Sequence, residues 1–264
     1  MTILEEIVNN KRLEVAARKQ QVSLHQLRES PAFHRQPYSL YNALRSKNPA
    51  VIAEIKKASP SRGVLREVMN VQEIAIGYAE YGAAAISVLT DQKYFQGSYE
   101  NLRLARSCVE LPILAKEFIV DPFQLFEAKS SGADAILLIA SILSNTQLQE
   151  LHHEAIFLGM EVLVEIHTPE ELSRLDLRQV RMVGINNRDL KTFAVRLDTV
   201  IALAAAVPSD VIVVSESGIL NEADGISLMK NGIHAMLIGE YFMRSEHPGR
   251  ALENFLTALQ RGGA

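Results

Sequence analysis

Short apolar runs alternate with longer amphipathic stretches along most of the chain. The apolar runs are rich in β-branched residues and lie at positions 51–55, 84–89, 112–115, 134–139, 161–165, 181–185, 211–214 and 234–238. The stretches between them include six with helical periodicity, at 71–81, 122–131, 145–157, 169–175, 197–206 and 221–230. Apolar runs that are separated by helices instead of two-residue turns predict βαβ crossovers and therefore a parallel sheet.

Eight parallel strands can close into a barrel or form a doubly wound open sheet. Several helical stretches end at a glycine just before the next strand, as C-terminal caps do, namely at Gly82, Gly132, Gly159 and Gly232. No GxGxxG pattern follows the first strand, although a dinucleotide-binding open sheet requires one. Eight is also the number of strands that closes a barrel. The sequence therefore predicts an α/β fold, a single (β/α)8 TIM barrel.

Residues 1–47 precede the first strand and contain two helical patterns, at 3–19 and 23–28. We find no linker and no low-complexity segment, and 264 residues is an ordinary size for an undivided barrel. We therefore expect a single barrel domain over residues 1–264, with residues 1–47 as an N-terminal helical extension packed on the barrel.

Composition narrows the classes of partner and compartment. The formal charge of −4 gives no reason to expect a nucleic-acid or anionic-membrane partner. Cys108 is the single cysteine, so no intramolecular disulfide is possible and a reducing cytoplasm is the expected location. The N-terminus is charged and lacks the apolar core of a signal peptide. The longest apolar run, 135–143, is far shorter than the roughly 20 residues that span a bilayer.

Charged and polar residues stand at the C-terminal ends of the predicted strands, where a parallel barrel has its active site. In strand order these residues are Glu54, Lys56, Lys116, Glu165, Asn186 and Glu216. Strand alternation places Glu54 with Lys56 on one face, Glu165 with Leu163, and Glu216 with Val214. If that face is the barrel interior, its top layer holds charges that are costly to bury unless they pair. One such residue is usually an ordinary rim residue, but six at equivalent positions predict an acid–base site.

Glycines that follow the last two predicted strands favour a phosphate site. Ser217 and Gly218 follow strand seven, and Gly239 follows strand eight, before residues 240–244, which are compatible with a short helix. Loops of this kind and a short helix N-terminus form the recurrent phosphate cradle of these barrels. The loop 57–63 is long, basic and rich in hydroxyls, which suits a mobile lid, with a plain solvated loop as the alternative.

The histidines and the cysteine give weaker signals. His152 and His153 lie within a helical stretch, and we expect both to be exposed. His167 follows strand five on the expected face, but no carboxylate or histidine partner stands at metal-ligand spacing. Cys108 has no cysteine or histidine neighbour that would indicate a metal or redox site. We therefore predict no metal site.

Several segments resemble the indole-3-glycerol-phosphate synthase family. They are AEIKKASPSRG at 53–63, LTDQKYFQGS at 89–98, PILAKEFIVDP at 112–122, LVEIH at 163–167, GINNRDL at 184–190, SESGI at 215–219 and LIGE at 237–240. The resemblance runs from LEEIV at 4–8 to the last helix, so it covers nearly the whole chain. The segments KKASPS and NNRDL in this order are a highly specific combination.

The resemblance implies a lyase of tryptophan biosynthesis, a carboxy-lyase. Its substrate would be 1-(2-carboxyphenylamino)-1-deoxyribulose 5-phosphate, and its products indole-3-glycerol phosphate, CO₂ and water. Ring closure and dehydration need general acids and a base. The resemblance implies no metal and no other cofactor, and a monomer whose partner is a small phosphorylated molecule, with no nucleic acid and no membrane.

The resemblance also implies roles for individual residues. In the catalytic set, Lys116 would be the acid for ring closure, and Lys56 would orient the substrate's carboxylate or phosphate and act as the acid for dehydration. Glu54 and Glu165 would be the base and its partner, with the division between them open. Asn186 would hold the substrate hydroxyl, and Ser217 completes this set at the phosphate.

Further positions would bind the substrate. The phosphate contacts would be Ser59, Gly218, Gly239 and Glu240, together with Ser217. Arg188 and Glu216 resemble substrate contacts, and Pro60, Phe95, Phe118 and Leu190 resemble the apolar wall for the anthranilate ring. Two positions depart from the family pattern: Glu117 stands where Asp is common, and Tyr241 stands where a small residue is common. A bulky ring at Tyr241 could alter the cradle.

Two other functions stay open. A lysine at a strand end in a phosphate-binding barrel is compatible with a Schiff-base aldolase that acts on a sugar phosphate. The second alternative is an inactive barrel used as a binding module. It predicts that charged residues have been lost from the strand ends, which the sequence does not show.

Overall fold

Eight parallel strands close into a barrel in this computed structural model, which describes residues 2–189 and 194–262. The barrel strands are β1 (Ala50–Ile55), β4 (Ala85–Leu89), β5 (Ile113–Lys116), β6 (Ala135–Ile139), β7 (Glu161–Ile166), β8 (Met182–Asn186), β9 (Ile212–Glu216) and β10 (Ala235–Ile238). They pair in sequence order, and β1 pairs with both β4 and β10 to close the ring. Helices connect the strands, so the predicted (β/α)8 TIM barrel is confirmed.

The helices that surround and precede the barrel follow the predicted pattern with two additions. They are α1 (Ile3–Gln21), α2 (Leu24–Arg28), α3 (Leu40–Arg45), α4 (Val71–Glu80), α5 (Tyr99–Arg106), α6 (Phe123–Ser130), α7 (Asn145–Phe157), α8 (Pro169–Ser173), α9 (Asp198–Ala204), α10 (Glu222–Lys230), α11 (Glu240–Met243) and α12 (Pro248–Gly262). The additions are α3 and α5. In the described ranges, none of these helices has the length and apolar content to cross a membrane.

Alternate residues of each strand face two different cores. On β1, Ile52 packs inside the barrel with Leu114 and Leu163, whereas Val51 and Ile55 pack outward against the helices. This alternation follows from the two-residue period of a strand. The interior layer of aliphatic side chains fills the lower barrel, and Glu54 lies one step further along the same face of β1. The strand geometry therefore turns the charged strand ends toward the barrel axis.

The loop between β1 and α4 contains a small antiparallel ribbon. Its strands are β2 (Ala58–Ser59) and β3 (Gly63–Val64). Gly63 has φ +67°, a left-handed conformation that glycine adopts without steric cost. The ribbon therefore gives regular structure to the segment for which the sequence predicts a lid, and its mobility stays a prediction.

The residues before β1 contact the barrel at several points along its height. On α1, the ammonium of Lys11 is only 1% exposed and lies 2.8 Å from Asp91 and 3.1 Å from Glu117, which follow β4 and β5. At the opposite end of the barrel, the backbone N–H of Tyr38 donates to Asp134 at 2.7 Å. The extension therefore runs along one side of the barrel and contacts both of its ends.

Candidate functional site

A pocket opens at the C-terminal ends of the strands, and every predicted site residue in the described part of the chain lines it. These residues are Glu54, Lys56, Ser59, Pro60, Phe95, Lys116, Phe118, Glu165, Asn186, Arg188, Glu216, Ser217, Gly218, Gly239 and Glu240. Leu190 lies outside the described residues. The structure thus brings the charged layer, the two glycine turns and the predicted apolar wall to one place, while the role of each residue stays a prediction.

Lys116 lies at the centre of the charged layer. Its Nζ is 2.7 Å from Glu165 Oε2 and 2.7 Å from Glu216 Oε2, and the side chain is 14% exposed. Burial by itself lowers the pKa of this lysine, but the charges of Glu165, Glu216 and Glu54 outweigh burial and raise the pKa above its ordinary value. Lys116 is therefore held as an ammonium.

The two carboxylates that flank Lys116 are unequal. Glu165 Oε1 also accepts a hydrogen bond from Asn186 at 3.0 Å, whereas Glu216 Oε1 is buried without a hydrogen-bond partner among the described residues. Burial raises the pKa of Glu165, but Lys116 and then His167 outweigh it and lower the pKa to about 2. For Glu216, burial and the repulsion of Glu165 and Glu54 outweigh Lys116 and raise the pKa to about 7.

These opposite shifts have one physical cause. A single ammonium can neutralise only one of two buried carboxylates, so the second carboxylate binds a proton more readily. Glu165, which has the additional hydrogen bond from Asn186, stays ionised, and Glu216 is the group that takes up the proton. The trio therefore combines an ammonium, a carboxylate that is ionised while Lys116 carries its proton, and a carboxyl that titrates near neutral pH.

Two glycines make room for the glutamates of this layer. A Cβ atom on Gly184, in β8, would overlap Glu216 Oε1, and a Cβ atom on Gly239 would overlap Glu54 Oε1. Glu54 is held in turn by Lys56, whose Nζ lies 2.5 Å from Glu54 Oε1. The glycines are therefore part of the site, because any side chain at these positions would displace a carboxylate.

The predicted phosphate cradle lies beside this layer. Ser217 and Gly218 both have left-handed backbone, with φ of 63° and 82°, which turns the chain sharply after β9. Three arginines converge on the carboxylate of Glu240 at the start of α11: Arg62 at 3.1 Å, Arg244 at 3.0 Å and Arg188 at 3.9 Å. One carboxylate leaves a surplus of positive charge here, which suits a phosphate dianion.

The other side of the pocket is apolar. The rings of Phe95 and Phe118 lie 5.9 Å apart between centroids. Ile3, Leu4 and Ile7 of α1 line the same pocket and were absent from the predicted site. The amphipathic pattern of 3–19 signals that α1 packs on something, but it does not say which part of the barrel receives it.

The sequence profile described as indole-3-glycerol phosphate synthase matches residues 4–255 of the chain. The chain belongs to this family.

Curated members of the indole-3-glycerol phosphate synthase family are similar over almost their whole length. The chain is 48% identical over 261 residues to the synthase of Carboxydothermus hydrogenoformans, which covers 96% of this chain and 99% of that protein. It is 46% identical over 254 residues to the synthase of Salinibacter ruber, covering 96% and 94%. Both relatives are named as this synthase, so the family resemblance of the sequence motifs is confirmed.

Solved structures share the fold at low sequence identity. One is 3-hexulose-6-phosphate synthase from Salmonella typhimurium, with a TM-score of 0.64 and 12% identity over 81% of this chain and 99% of that chain. At this identity the likeness shows the barrel architecture alone.

Both departures from the synthase pattern lie outside the charged layer. The ring of Tyr241 packs on Phe242 and Phe255, with centroids 5.5 and 5.7 Å apart, and its hydroxyl donates to Glu222 Oε1 at 2.6 Å. Tyr241 therefore points toward α10 and α12 and leaves the cradle open. Glu117 is buried and accepts hydrogen bonds from Thr90 and its own following backbone N–H, beside Lys11.

One expectation about the histidines is wrong, and His167 has neighbours that the sequence did not indicate. His152 is only 9% exposed because α7 packs this side of the helix against the barrel, while His153 is exposed as predicted. His167 does have carboxylate neighbours. Its Nε2 lies 3.4 Å from Glu165 Oε1 and its Nδ1 lies 3.4 Å from Glu171 Oε2. The turn from β7 into α8 brings residues 165, 167 and 171 together, which a search for metal-ligand spacing does not detect.

Proposed function

We propose that this protein converts 1-(2-carboxyphenylamino)-1-deoxyribulose 5-phosphate into indole-3-glycerol phosphate, with release of CO₂ and water. The observation that carries the proposal is the position of Lys116. This ammonium is held between two buried carboxylates, with an apolar wall on one side of the pocket and an arginine-rich cradle on the other. Membership of the synthase family supports the same reaction.

Lys116 is the proposed acid for ring closure. As the arene carbon that bears the carboxylate attacks the ketone carbon, the ketone oxygen gains negative charge and takes a proton from Lys116 Nζ. Glu165 and Glu216 hold the ammonium at 2.7 Å each and so fix its direction before the reaction begins. Loss of CO₂ from the same carbon then restores the aromatic ring.

Lys56 and Glu54 are the proposed pair for dehydration. The hydroxyl made in the first step leaves as water when Lys56 protonates it, and a carboxylate removes the proton from the neighbouring carbon to complete the indole. Glu54 is suited to act with Lys56 because the two side chains are in contact at 2.5 Å. Glu165 is the other candidate base, so the division between Glu54 and Glu165 stays open.

The remaining predicted residues position the substrate. Ser59, Ser217, Gly218, Gly239 and Glu240 line the cradle side of the pocket, and Pro60, Phe95 and Phe118 line the apolar side, which suits the phosphate and the anthranilate ring respectively. Arg188 lines the same pocket, and its Nη2 lies 3.9 Å from Glu240 Oε2. Asn186 donates a hydrogen bond to Glu165 and is the proposed contact of the substrate hydroxyl.

We further propose that residues 1–264 act as one domain, in the cytoplasm, as a monomer without a nucleic-acid or membrane partner. The contacts of Lys11 and Tyr38 with the barrel support one folding unit. Sedimentation of the purified protein tests the monomer, and a mass of twice 29.3 kDa would contradict it.

The growth of indole fluorescence after addition of the carboxyphenylamino-deoxyribulose phosphate, with EDTA present, tests the reaction. We expect turnover by the wild type and by the control Lys230→Ala, because Lys230 is an exposed lysine at the end of α10. Lys116→Ala should lose about 10²–10⁴-fold in kcat, which is the usual contribution of a general acid. A flat trace from folded wild type contradicts the function, and near-normal kcat in Lys116→Ala contradicts the assigned acid.

The aldolase alternative makes a different covalent prediction. A Schiff base needs a neutral amine, whereas the pKa of Lys116 is raised because the charges of three carboxylates outweigh its burial. Borohydride treatment with a sugar phosphate should therefore leave the mass of the protein unchanged. A stable adduct on Lys56 or Lys116 would favour the aldolase.

A further inference from the structure

The proposed reaction takes up one proton from solvent in every turnover. The ketone oxygen receives two protons before it leaves as water, one in ring closure and one in dehydration. Only one proton returns to the protein, from the carbon that is deprotonated to form the indole. Because the carboxylate leaves as CO₂ and carries no proton away, the site ends each cycle one proton short. Lys116 lines the main pocket, which the substrate and then the product occupy during turnover, so the returning proton needs a second route to Lys116.

A line of side-chain contacts leads from Lys116 to the edge of the site. Lys116 Nζ lies 2.7 Å from Glu165 Oε2, and the other oxygen, Glu165 Oε1, lies 3.4 Å from His167 Nε2. The second ring nitrogen, His167 Nδ1, lies 3.4 Å from Glu171 Oε2. The series alternates basic and acidic side chains along its whole length.

The outer end of the series is fixed in place and reaches a second pocket. The backbone N–H of His167 donates to Glu171 Oε2 at 2.7 Å, and Thr168 caps α8 by accepting from the backbone N–H of Glu171. His167 and Glu171 line a pocket beside the main one, together with Asn186 and Arg188. Glu171 is 15% exposed and lines the second pocket, so it can exchange protons with solvent through that pocket and not through the main one.

We propose that His167 is a positioning residue that passes the returning proton from Glu171 to Glu165 and so restores the proton of Lys116. The proposal rests on the proposed reaction, which creates the need for the proton. An imidazole suits this task because one ring nitrogen can accept a proton while the other releases one. Only N–H and O–H bonds are made or broken. Glu171 takes a proton from solvent and passes it to His167 Nδ1, and Nε2 releases a proton to Glu165 Oε1. Rotation of the protonated carboxyl group then lets Glu165 pass the proton to the neutral amine of Lys116.

The electrostatics around His167 favour a proton on the ring. Burial by itself lowers the pKa of His167, but contact with Glu171 and the charges of Glu165, Glu171 and Glu216 outweigh burial and raise it. In the described residues neither ring nitrogen makes a hydrogen bond, so the 3.4 Å distances to Glu165 and Glu171 are ion-pair contacts, and a small rotation of the ring must bring each nitrogen into line for proton transfer. The further charged groups that line the adjoining pocket are Arg188, Asp189 and Arg196.

Replacing His167 distinguishes a proton-relay role from that of a side chain that only fills space. In His167→Ala we expect kcat to fall about 10–100-fold, within the range of proton-transfer contributions, while KM for the substrate changes less than about twofold. Added imidazole should restore kcat in a concentration-dependent way, because a small molecule can occupy the vacated space. The matched control is His153→Ala, which removes an exposed histidine of α7 and should change neither kcat nor its response to imidazole.

Glu171→Gln tests the outer end without emptying the space around the ring. Its amide oxygen can still accept the backbone N–H of His167, so α8 should keep its start, and this variant carries the test if His167→Ala does not fold. We expect a smaller loss of kcat and an alkaline limb of the kcat–pH profile at lower pH, because one of the charges that stabilise the imidazolium is gone.

The outcomes distinguish this inference from the proposed function. A wild type that does not turn over the substrate contradicts the function itself. An active wild type with unchanged kcat in folded His167→Ala and Glu171→Gln overturns the relay alone. Loss of kcat that imidazole does not restore, accompanied by a rise in KM, would also overturn it and assign His167 to substrate binding.

Discussion

Buried carboxylates lie in a cluster of polar contacts at each end of the barrel, and the two clusters are built differently. At the N-terminal end, Asp134 is fully buried and accepts from Arg35, from Arg106 at 2.8 Å, and from the backbone N–H groups of Tyr38 and Ile113 at 2.7 Å each. At the C-terminal end, Glu216 Oε1 has no hydrogen-bond partner among the described residues.

The difference indicates which cluster contributes to stability and which is available for chemistry. Every hydrogen-bonding direction of Asp134 is used, so its charge is compensated and the residue ties the N-terminal extension to β5 and β6. Glu216 shares one ammonium with Glu165 and keeps an oxygen free for a ligand or a proton. Burial of a charge is therefore not by itself a sign of function; incomplete compensation of that charge is the informative feature.

The largest effect is expected from removing the carboxylate of Asp134, whose charge is fully compensated. Asp134→Ala leaves Arg106 partly buried without its carboxylate, together with two unpaired backbone N–H groups, and should lower the free energy of unfolding by about 3–5 kcal/mol. Urea unfolding measures the loss. The kcat of the protein that remains folded should change little, because Asp134 lies at the end of the barrel opposite the pocket. A loss below about 1 kcal/mol would show that the cluster contributes little.

A pH-dependent effect should mark the uncompensated cluster. Between its ordinary pKa of 4.5 and its raised pKa of about 7, Glu216 resists ionisation in the fold but not in the unfolded chain, so it lowers stability as pH rises. Glu216→Gln should therefore gain up to about 3 kcal/mol relative to wild type between pH 4.5 and pH 7, at about 1.4 kcal/mol for each pKa unit.

Glu165→Gln is the matched control for that titration. Burial raises the pKa of Glu165, but Lys116 lowers it further, to about 2, so this carboxylate contributes stability above pH 4.5 and loses it as pH falls toward 2. Glu165→Gln should be destabilised at pH 7, opposite in sign to Glu216→Gln. Urea unfolding of both variants at pH 5 and pH 8 decides the matter, and equal responses would mean that the two carboxylates are equivalent.

The smallest effect on stability should come from the glycine beside Glu216. Gly184→Ala places a Cβ against Glu216 Oε1 and should lower the free energy of unfolding by about 1–3 kcal/mol, as overpacking does. Because the displaced carboxylate holds Lys116, kcat should fall at least about tenfold. Gly232→Ala is the control, since nothing lies near its Cβ, although its φ of +80° also strains an alanine. Equal kcat in the two variants would exclude a positioning role for Gly184.

The sequence predicts the barrel and its charged layer well because both follow from local pattern. Strand alternation places Glu54, Glu165 and Glu216 on the interior face, and parallel topology places their strand ends together. The helix α5 escapes prediction because it is short and mostly polar, with only Leu102 and Ala105 buried.

Other features depend on contacts between distant segments. The burial of Lys11 requires Asp91 and Glu117. These residues lie far from Lys11 in the sequence and meet it only in the folded protein. The partners of His167 need the particular turn between β7 and α8. The periodicity of residues 3–19 predicts an amphipathic helix, but only the folded structure shows which surface of the barrel α1 covers.

The wall that α1 contributes to the pocket has a practical consequence for expression of this protein. Ile3, Leu4 and Ile7 line the site, and Thr2 caps the helix through a reciprocal bond with Glu5. A purification tag fused directly ahead of Thr2 would therefore be attached next to the pocket. Any shift of α1 that the tag causes would be expected to alter the apparent affinity for substrate. Recombinant protein intended for kinetic work should carry its tag at the C-terminus, after α12.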